Sequence, residues 1–304
     1  MLQYILCANT LYLLKIKWMI KKLNYITWML IVLVGISSCK TGAVATTNGT
    51  KSGQLSDATS IQNRHLNDIA LNGKVYSAIW QQNAGEFRAL CYQAYNVATR
   101  YLDLEMANNH QRPLAIITDV DETFLDNSPY AVTQALVGNE FDNKSWMEWT
   151  AKGEAIAFPG SVDFFNHAAA KGIEVFYITN RSTKELEGTR RNLKNLGFPF
   201  ADDVHLMMMD GTSDKETRRL AVLEKYEVIM YLGDNLNDFS KVFYKLSQAD
   251  RNQKTDELAA EFGSKFIVLP NSGYGNWESA IPGYNSHATP VQKDSIFLNS
   301  LKKY

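Results

Sequence analysis

The segment LAIITDVDET, residues 114–123, places a short apolar run directly before two acidic residues. The run Leu114–Thr118 has strand length and contains β-branched side chains, so it predicts a buried β-strand. Asp119 and Asp121 follow at positions i and i+2, and an extended chain points such side chains to the same side. Paired carboxylates can bind a divalent cation and divide the roles of nucleophile and acid. A solvated turn after the strand would give the same short pattern.

Short apolar runs alternate with helical stretches beyond Pro113. The further predicted strands are Ile173–Thr179, Val204–Met208, Val228–Leu232 and Lys265–Leu269. The predicted helices between them are Val162–Lys171, Lys184–Leu196, Lys215–Tyr226 and Ser240–Phe262, the last with a break. This alternation predicts an α/β fold, a Rossmann-like parallel sheet with helices on both faces. Ligands of such sheets bind beyond the carboxyl ends of the strands.

Two further segments carry polar groups that suit an anion. The second predicted strand ends in Thr179, Asn180 and Arg181, where a hydroxyl and an amide suit hydrogen bonds to a phosphoryl oxygen. A helix N-cap is the simpler explanation of these residues taken alone. Lys215 opens a predicted helix, where its charge is unfavourable for the helix dipole unless an anion lies nearby. A solvent-facing lysine is the alternative.

The fourth predicted strand is followed by GDNLND, residues 233–238. Gly233 permits a close approach of the backbone. Asp234 and Asp238 offer oxygen ligands for a hard cation. An acidic turn is the alternative interpretation of this segment.

The order of these signals resembles that of the haloacid dehalogenase superfamily of phosphohydrolases. More narrowly, four segments look like the bacterial class C acid phosphatases, which include the outer-membrane lipoprotein 5′-nucleotidases of the lipoprotein e group. The segments are DVDETFLDNSPY (119–130), ITNR (178–181), GDNLNDF (233–239) and LPNSGYGNW (269–277). The resemblance implies a haloacid dehalogenase-like fold and a small, mostly helical cap, which we place at about residues 124–160.

The resemblance also implies catalytic roles. Asp119 would be the nucleophile that forms an aspartyl-phosphate. Asp121 would protonate the leaving alkoxide and later act as the base for water. Thr179 and Lys215 would hold phosphoryl oxygens, and Lys215 would also keep Asp119 ionised.

The implied cofactor is Mg²⁺. The resemblance assigns it to Asp119, to the backbone carbonyl of Asp121 and to Asp234. Asp238 would bind the ion directly or brace the site. An anionic carboxylate can approach an anionic phosphate only when positive charge neutralises the pair.

Aromatic residues near this site bear on the choice of substrate. The predicted cap contains Phe124, Tyr130, Phe141, Trp146 and Trp149, and Tyr274 follows the last predicted strand. Such rings either stack a nucleobase or pack the cap against the core, and the sequence leaves both interpretations open. The resemblance implies that they clamp nucleotides such as nicotinamide mononucleotide or lie beside aryl phosphates. The predicted substrate-binding residues are Phe124, Trp146, Asn180, Arg181 and Tyr274.

The resemblance therefore implies a magnesium-dependent acid phosphatase that acts on phosphate monoesters, with 5′-nucleotides and aryl phosphates as substrates. The alternatives are a narrow sugar phosphatase or a phosphotransferase on the same fold, and a non-catalytic binding lipoprotein. Dehalogenation is disfavoured because that chemistry needs neither Asp121 as an acid nor a cation. The net charge of −1 provides no basic surface for a nucleic-acid polymer. A homodimer is left open.

Residues 1–38 are predicted to be a signal peptide. Lysines precede the apolar run Trp28–Ile36, which is too short for a comfortable membrane span. The run ends in ISSC, residues 36–39, which resembles a bacterial lipobox, so Cys39 would carry the lipid of an exported outer-membrane lipoprotein. An ordinary signal peptide or a signal anchor is the alternative. Residues 1–18 are interpreted as a superfluous extension, because a signal that starts at Met19 is already complete.

Two further segments follow the predicted signal. Residues 39–60 are rich in Thr, Ser, Gly, Ala and Asn, a composition that predicts a flexible tether attached to the lipid. Residues 61–304 are the predicted phosphatase domain. Apolar residues recur at helical spacing near its start, which predicts two helices at about residues 61–110.

Overall fold

The computed structural model describes residues 68–304. The predicted signal peptide, Cys39 and the tether lie outside the described residues, as do residues 61–67 of the predicted domain. Within residues 68–304, none of the helices combines the length and the apolar character that a membrane crossing requires.

Strands and helices alternate along most of the described chain. The strands are β1 Leu114–Thr118, β2 Leu125–Asp126, β3 Ile156–Ala157, β4 Glu174–Ser182, β5 Leu206–Met209, β6 Glu227–Gly233 and β7 Phe266–Val268. The α-helices are α1 Ile69–Asn83, α2 Gly85–Glu105, α3 Ser128–Leu136, α4 Asn143–Lys152, α5 Ser161–Ala170, α6 Leu186–Leu196, α7 Glu216–Leu223, α8 Gln248–Glu257, α9 Asn276–Ser279 and α10 Pro290–Ser300. Short 3₁₀ turns lie at Thr183–Glu185, Leu236–Asp238, Lys241–Phe243 and Ala259–Glu261.

The main sheet is parallel throughout, with the strand order β5-β4-β1-β6-β7. Strand β1 is central, and its last residue, Thr118, pairs with Tyr177 on β4 and with Leu232 on β6. The chain therefore leaves these three strands at one edge of the sheet. The predicted α/β fold class is confirmed.

The two faces of β1 belong to different parts of the core. Ile116 lies in the cluster formed with helices α2, α5 and α6. Ala115 and Ile117 lie in the cluster on the opposite face, which includes Val222 of α7. Successive residues of a strand point to opposite faces, so the apolar run of β1 is buried on both sides. Packing on both faces holds β1 in place and with it the position of Asp119, the residue that follows the strand.

The cap consists of α3 and α4 between the short antiparallel strands β2 and β3. Asp142 caps the start of α4 by accepting the backbone N–H of Ser145 at 2.8 Å. Gly153 ends the helix in the left-handed conformation, which glycine adopts without strain. Helix α1 contacts α3 of the cap and α10 near the C-terminus.

Two predicted elements differ from the structure. The predicted strand Val204–Met208 begins only at Leu206, because Asp202 accepts the backbone N–H groups of residues 204 and 205 and holds them in a turn. The predicted helix Ser240–Phe262 is divided into the α-helix α8 and two 3₁₀ turns. Lys245 adopts a positive φ of 56°, and Ser247 caps a new helix after it.

Candidate active site

Asp119 is the first residue beyond the central strand. Its backbone N–H donates to the carbonyl of Leu232 on β6 at 3.0 Å, which holds it at the carboxyl edge of the sheet. Its carboxylate accepts the Thr123 hydroxyl at 3.2 Å and, on the other oxygen, the ammonium group of Lys215. Burial raises the pKa of Asp119 to about 7, although Lys215 opposes this shift. Further positive charge beside the carboxylate would keep it ionised.

Lys215 bridges two carboxylates from the position just before α7. Its Nζ donates to Asp119 and to Oδ1 of Asp238, the latter at 2.7 Å. Burial alone would lower the pKa of Lys215, but the two aspartates outweigh burial and raise it. The lysine is therefore a fixed positive charge beside Asp119.

Three carboxylates converge next to this lysine. Asp119, Asp234 and Asp238 each offer an oxygen, and these oxygens lie within 4.8 Å of one another. Burial raises the pKa of Asp234 well above its usual range, and the neighbouring Asp238 and Asp119 add to the shift. With all three carboxylates ionised, the single ammonium group of Lys215 would leave two negative charges without a counterion in this space. Hard oxygen donors with this charge fit a divalent cation such as Mg²⁺.

The turn after β6 explains how Asp238 reaches the cluster. Its Oδ2 accepts the backbone N–H of Asn235 at 3.0 Å, which folds the side chain back over the turn. A Cβ at Gly233 would lie 2.5 Å from the Cβ of Asp238. Only glycine leaves room for this carboxylate beside the strand end.

Asp121 lies in different surroundings from Asp119. Its Oδ1 accepts Nη2 of Arg181 at 2.7 Å and Nδ2 of Asn127 at 2.9 Å. The Thr179 hydroxyl lies 3.4 Å from its Oδ2. Arg181 and Asn127 therefore orient the Asp121 carboxylate. Because one aspartate faces a lysine and further acids and the other faces an arginine and neutral donors, the pair suits two different chemical roles.

The side chains of Arg181 and Thr179 are buried, and both contact the Asp121 carboxylate. Arg181 is 2% exposed, and its guanidinium also donates to the hydroxyl of Thr189 at 3.0 Å. Thr179 is fully buried and accepts the backbone N–H of Arg181 at 3.0 Å. Direct contact of these two residues with a phosphoryl group or a substrate stays a prediction.

A cavity of about 600 Å³ opens from the aspartates towards the cap. The predicted site residues that line it include Asp119, Asp121, Asn180, Arg181, Lys215, Asp234 and Asp238. Its aromatic lining consists of Tyr130, Phe141, Trp146, Tyr274 and Tyr284. The Trp146 ring lies edge-on to Tyr130, with 5.0 Å between centroids, and 5.7 Å from the guanidinium of Arg181. The cavity thus combines an acidic floor with an aromatic wall.

The prediction that Phe124 binds substrate is wrong. Its side chain has no exposed surface and packs in the core against Phe198, with 4.7 Å between ring centroids. The backbone N–H of Phe124 donates to the carbonyl of Val120 at 3.2 Å. This tight turn after the aspartates directs the ring into the core, where it contacts Phe165 of α5 and Tyr177 of β4, rather than into the cap.

Three residues of the site were not predicted. Glu122 is buried, and its carboxylate accepts the backbone N–H of Asn127 at 2.9 Å and the Tyr274 hydroxyl. Burial raises the pKa of Glu122 to about 8, and Asp121 adds to the shift. Asn271 donates to Oδ2 of Asp234 at 2.7 Å. All three are polar residues of the segments 119–130 and 269–277, and that position is the sequence signal that marks them.

The chain matches a family described as HAD superfamily, subfamily IIIB (acid phosphatase), over residues 40–277. The structure is also similar to that of the class C acid phosphatase from Bacillus anthracis. The tungstate-bound crystal structure of that protein has a TM-score of 0.74 and 39% sequence identity, covering 77% of this chain and 98% of the other. A second structure of that phosphatase has a TM-score of 0.74 and 38% sequence identity, and the match covers 77% of this chain and 99% of the other.

Curated relatives match a shorter part of the chain. Acid phosphatase 1 of Solanum lycopersicum is 31% identical over 131 residues, which is 40% of this chain and 50% of that protein. A stem 31 kDa glycoprotein of Glycine max is 28% identical over 128 residues, which is again 40% of this chain and 50% of that protein. The chain therefore spans about half the length of the curated relatives that it matches.

Proposed function

Because the chain belongs to the acid phosphatases of subfamily IIIB in the HAD (haloacid dehalogenase) superfamily, we propose that it hydrolyses phosphate monoesters with Mg²⁺ and the nucleophile Asp119. The family match and the similarity to the Bacillus anthracis structures confirm the prediction from sequence that the chain is related to class C acid phosphatases. The observation that carries the proposal is the convergence of Asp119, Lys215, Asp234 and Asp238 at one edge of the sheet.

In the first step, an oxygen of Asp119 attacks phosphorus, and the bond between phosphorus and the ester oxygen breaks. Protonated Asp121 donates its proton to the departing oxygen, so the alcohol leaves as a neutral molecule. Lys215 offsets negative charge beside Asp119 during the approach. Asp119, Asp234 and Asp238 would hold a divalent cation, which would supply the further positive charge that lets the anionic carboxylate approach the anionic phosphate.

In the second step, Asp121 takes a proton from water, and the water oxygen attacks the phosphorus of the aspartyl-phosphate. The bond between phosphorus and Asp119 breaks, which releases inorganic phosphate and restores the carboxylate. Arg181 and Asn127 support both steps because their hydrogen bonds hold the Asp121 carboxylate in place. Asp121 gives up its proton in the first step and takes one from water in the second, so the cycle needs no other proton carrier.

The proposed substrates are 5′-nucleotides and aryl phosphates. The cavity lies directly above the aspartates, and its volume of about 600 Å³ accommodates a nucleotide-sized molecule. Its aromatic wall offers flat surfaces to a base or an aryl ring. The Bacillus anthracis relative binds tungstate, a tetrahedral oxyanion of the same shape as phosphate. These features support a phosphomonoester whose alcohol carries a flat group.

We also propose that the protein is exported and anchored to the outer membrane by lipid on Cys39. This proposal depends on the sequence alone, where the lipobox-like ISSC follows an apolar signal. A surface phosphatase of this kind would act on substrates outside the cytoplasm.

Phosphate release from a substrate panel tests the proposed function. We expect Mg²⁺-dependent release from a nucleoside 5′-monophosphate and from p-nitrophenyl phosphate, with kcat/KM at least about tenfold above that for glucose 6-phosphate. A chelator should abolish release, and added Mg²⁺ should restore it. Release that does not depend on a cation would contradict the proposed mechanism. A preference for the sugar phosphate would contradict the proposed substrate class.

A further inference from the structure

We propose that Glu122 is a positioning residue that fixes the ring of Tyr274 as a wall for the flat leaving group of the substrate. The inference rests on the proposed function and adds a determinant of substrate preference to it. Glu122 does not contact the reacting atoms itself. It acts through Tyr274.

The side chain of Glu122 is buried and fully engaged. It is 3% exposed, one carboxylate oxygen accepts the backbone N–H of Asn127 at 2.9 Å, and the other accepts the Tyr274 hydroxyl. Its backbone has a φ of 53°, in the left-handed region that non-glycine residues rarely adopt. Such strain persists where the surrounding structure requires it and is common at functional sites. Nothing in the proposed chemistry of Asp119 and Asp121 uses this residue.

Tyr274 combines a fixed hydroxyl with an accessible ring. The residue is 41% exposed and lines the cavity, while its hydroxyl lies inside against Glu122. The Tyr274 hydroxyl donates to Glu122, and this hydrogen bond holds the far end of the ring.

The backbone of the Tyr274 loop is tethered independently of Glu122. Lys74 on α1 donates to the carbonyl of Gly273 at 3.1 Å, and the hydroxyls of Ser77 and Ser272 lie 2.9 Å apart. Loss of the Glu122 contact should therefore free the Tyr274 ring without displacing the loop. This separation makes the role of Glu122 testable.

One short turn connects this wall to the catalytic pair. Glu122 follows Asp121 directly, and Asn127 donates its backbone N–H to Glu122 and its side-chain amide to Asp121. These hydrogen bonds join Asp121, Asn127 and Glu122 to the Tyr274 hydroxyl in one connected unit. A flat leaving group that extends from phosphorus past Asp121 would lie against this ring. The effect of Glu122 should consequently fall on substrates with a flat group.

The test uses the full chain with Mg²⁺ and compares a nucleoside monophosphate with methyl phosphate. Glu122→Met has similar length but no carboxylate, and Tyr274→Phe removes only the hydroxyl. We expect each variant to raise KM for the nucleotide about tenfold relative to methyl phosphate, with a smaller effect on kcat. The double variant should match the worse single variant within about twofold, because both changes break the same contact.

Two further variants separate positioning from other roles. Glu122→Gln keeps groups that can bond both Asn127 and Tyr274, so it should retain most of the preference for the nucleotide. Glu86→Met removes an exposed carboxylate on α2 and should leave the preference unchanged. Circular dichroism checks folding. If Glu122→Met does not fold, Tyr274→Phe together with Glu122→Gln carries the comparison.

Equal losses on both substrates, additive effects in the double variant, or a Glu122→Gln variant as impaired as Glu122→Met would overturn the positioning role. If Glu122→Met does not fold, an unchanged preference in Tyr274→Phe would overturn it as well. Failure of the unmodified chain to release phosphate from either substrate would instead contradict the proposed function, and the inference with it.

Discussion

Asp119→Asn should abolish phosphate release, lowering kcat by at least about 10³-fold. The amide of asparagine is not a nucleophile, so no covalent intermediate can form, although the side chain has nearly the same shape. The fold should persist, and the variant without cation should be at least as stable as the unmodified protein. Burial already disfavours the charge on Asp119, and the neutral amide removes its repulsion with Asp238. Steady-state kinetics with saturating Mg²⁺ and thermal unfolding measure the two effects.

The matched control for this variant is Asp163→Asn. Asp163 is exposed in the first turn of α5 and is absent from the lining of the cavity, so the same chemical change should leave kcat unaltered. A substantial rate in freshly prepared Asp119→Asn, with phosphate release still dependent on Mg²⁺, would refute the nucleophile assignment.

Asp234→Asn should weaken cation binding and leave Asp119 in place. The asparagine can still accept the Thr123 hydroxyl, which lies 3.3 Å from Oδ1 of Asp234, but it contributes no charge to the metal. We expect the Mg²⁺ concentration for half-maximal activity to rise by about 10²-fold. Part of the lost rate should return at high Mg²⁺. Activity titrated with Mg²⁺ in the variant and in Asp163→Asn gives the comparison.

A titration curve that does not move in Asp234→Asn would show that this carboxylate does not hold the ion. An equal loss of rate at every Mg²⁺ concentration would assign Asp234 a role in the chemical step instead. Either result would contradict the metal site formed with Asp119 and Asp238.

The sheet could be predicted because its strands are apolar runs buried on both faces. Strand β1, Leu114–Thr118, has the predicted bounds, since the apolar run begins directly after Pro113 and ends directly before Asp119. The predicted bounds of strands and helices were wrong where a single side chain changes the direction of the backbone. Asp202 delays the start of β5, and Ser247 starts a new helix after the left-handed Lys245. Such capping bonds have no periodic signal in the sequence.

The convergence of Asp119, Lys215 and Asp234 follows from a rule of parallel sheets, because strand ends meet at one edge. The structure brings these side chains together, and their roles stay predictions. The contact between Glu122 and Tyr274 could not be predicted, since it joins residues 152 positions apart through two irregular loops. Phe124 was misplaced because an aromatic residue near a site does not reveal which way a tight turn will point it.

Trapping a phosphoryl group on the enzyme tests nucleophilic catalysis by Asp119 most directly. The unmodified protein would be mixed with a nucleoside monophosphate and Mg²⁺, quenched in acid within the first turnover and reduced with borohydride. An aspartyl-phosphate is converted to homoserine by this treatment, and mass spectrometry of the peptides locates the change. We expect homoserine at position 119 and at no other aspartate, and none without Mg²⁺. Rapid turnover with an unmodified Asp119, or with the change at Asp121, would contradict the proposed mechanism.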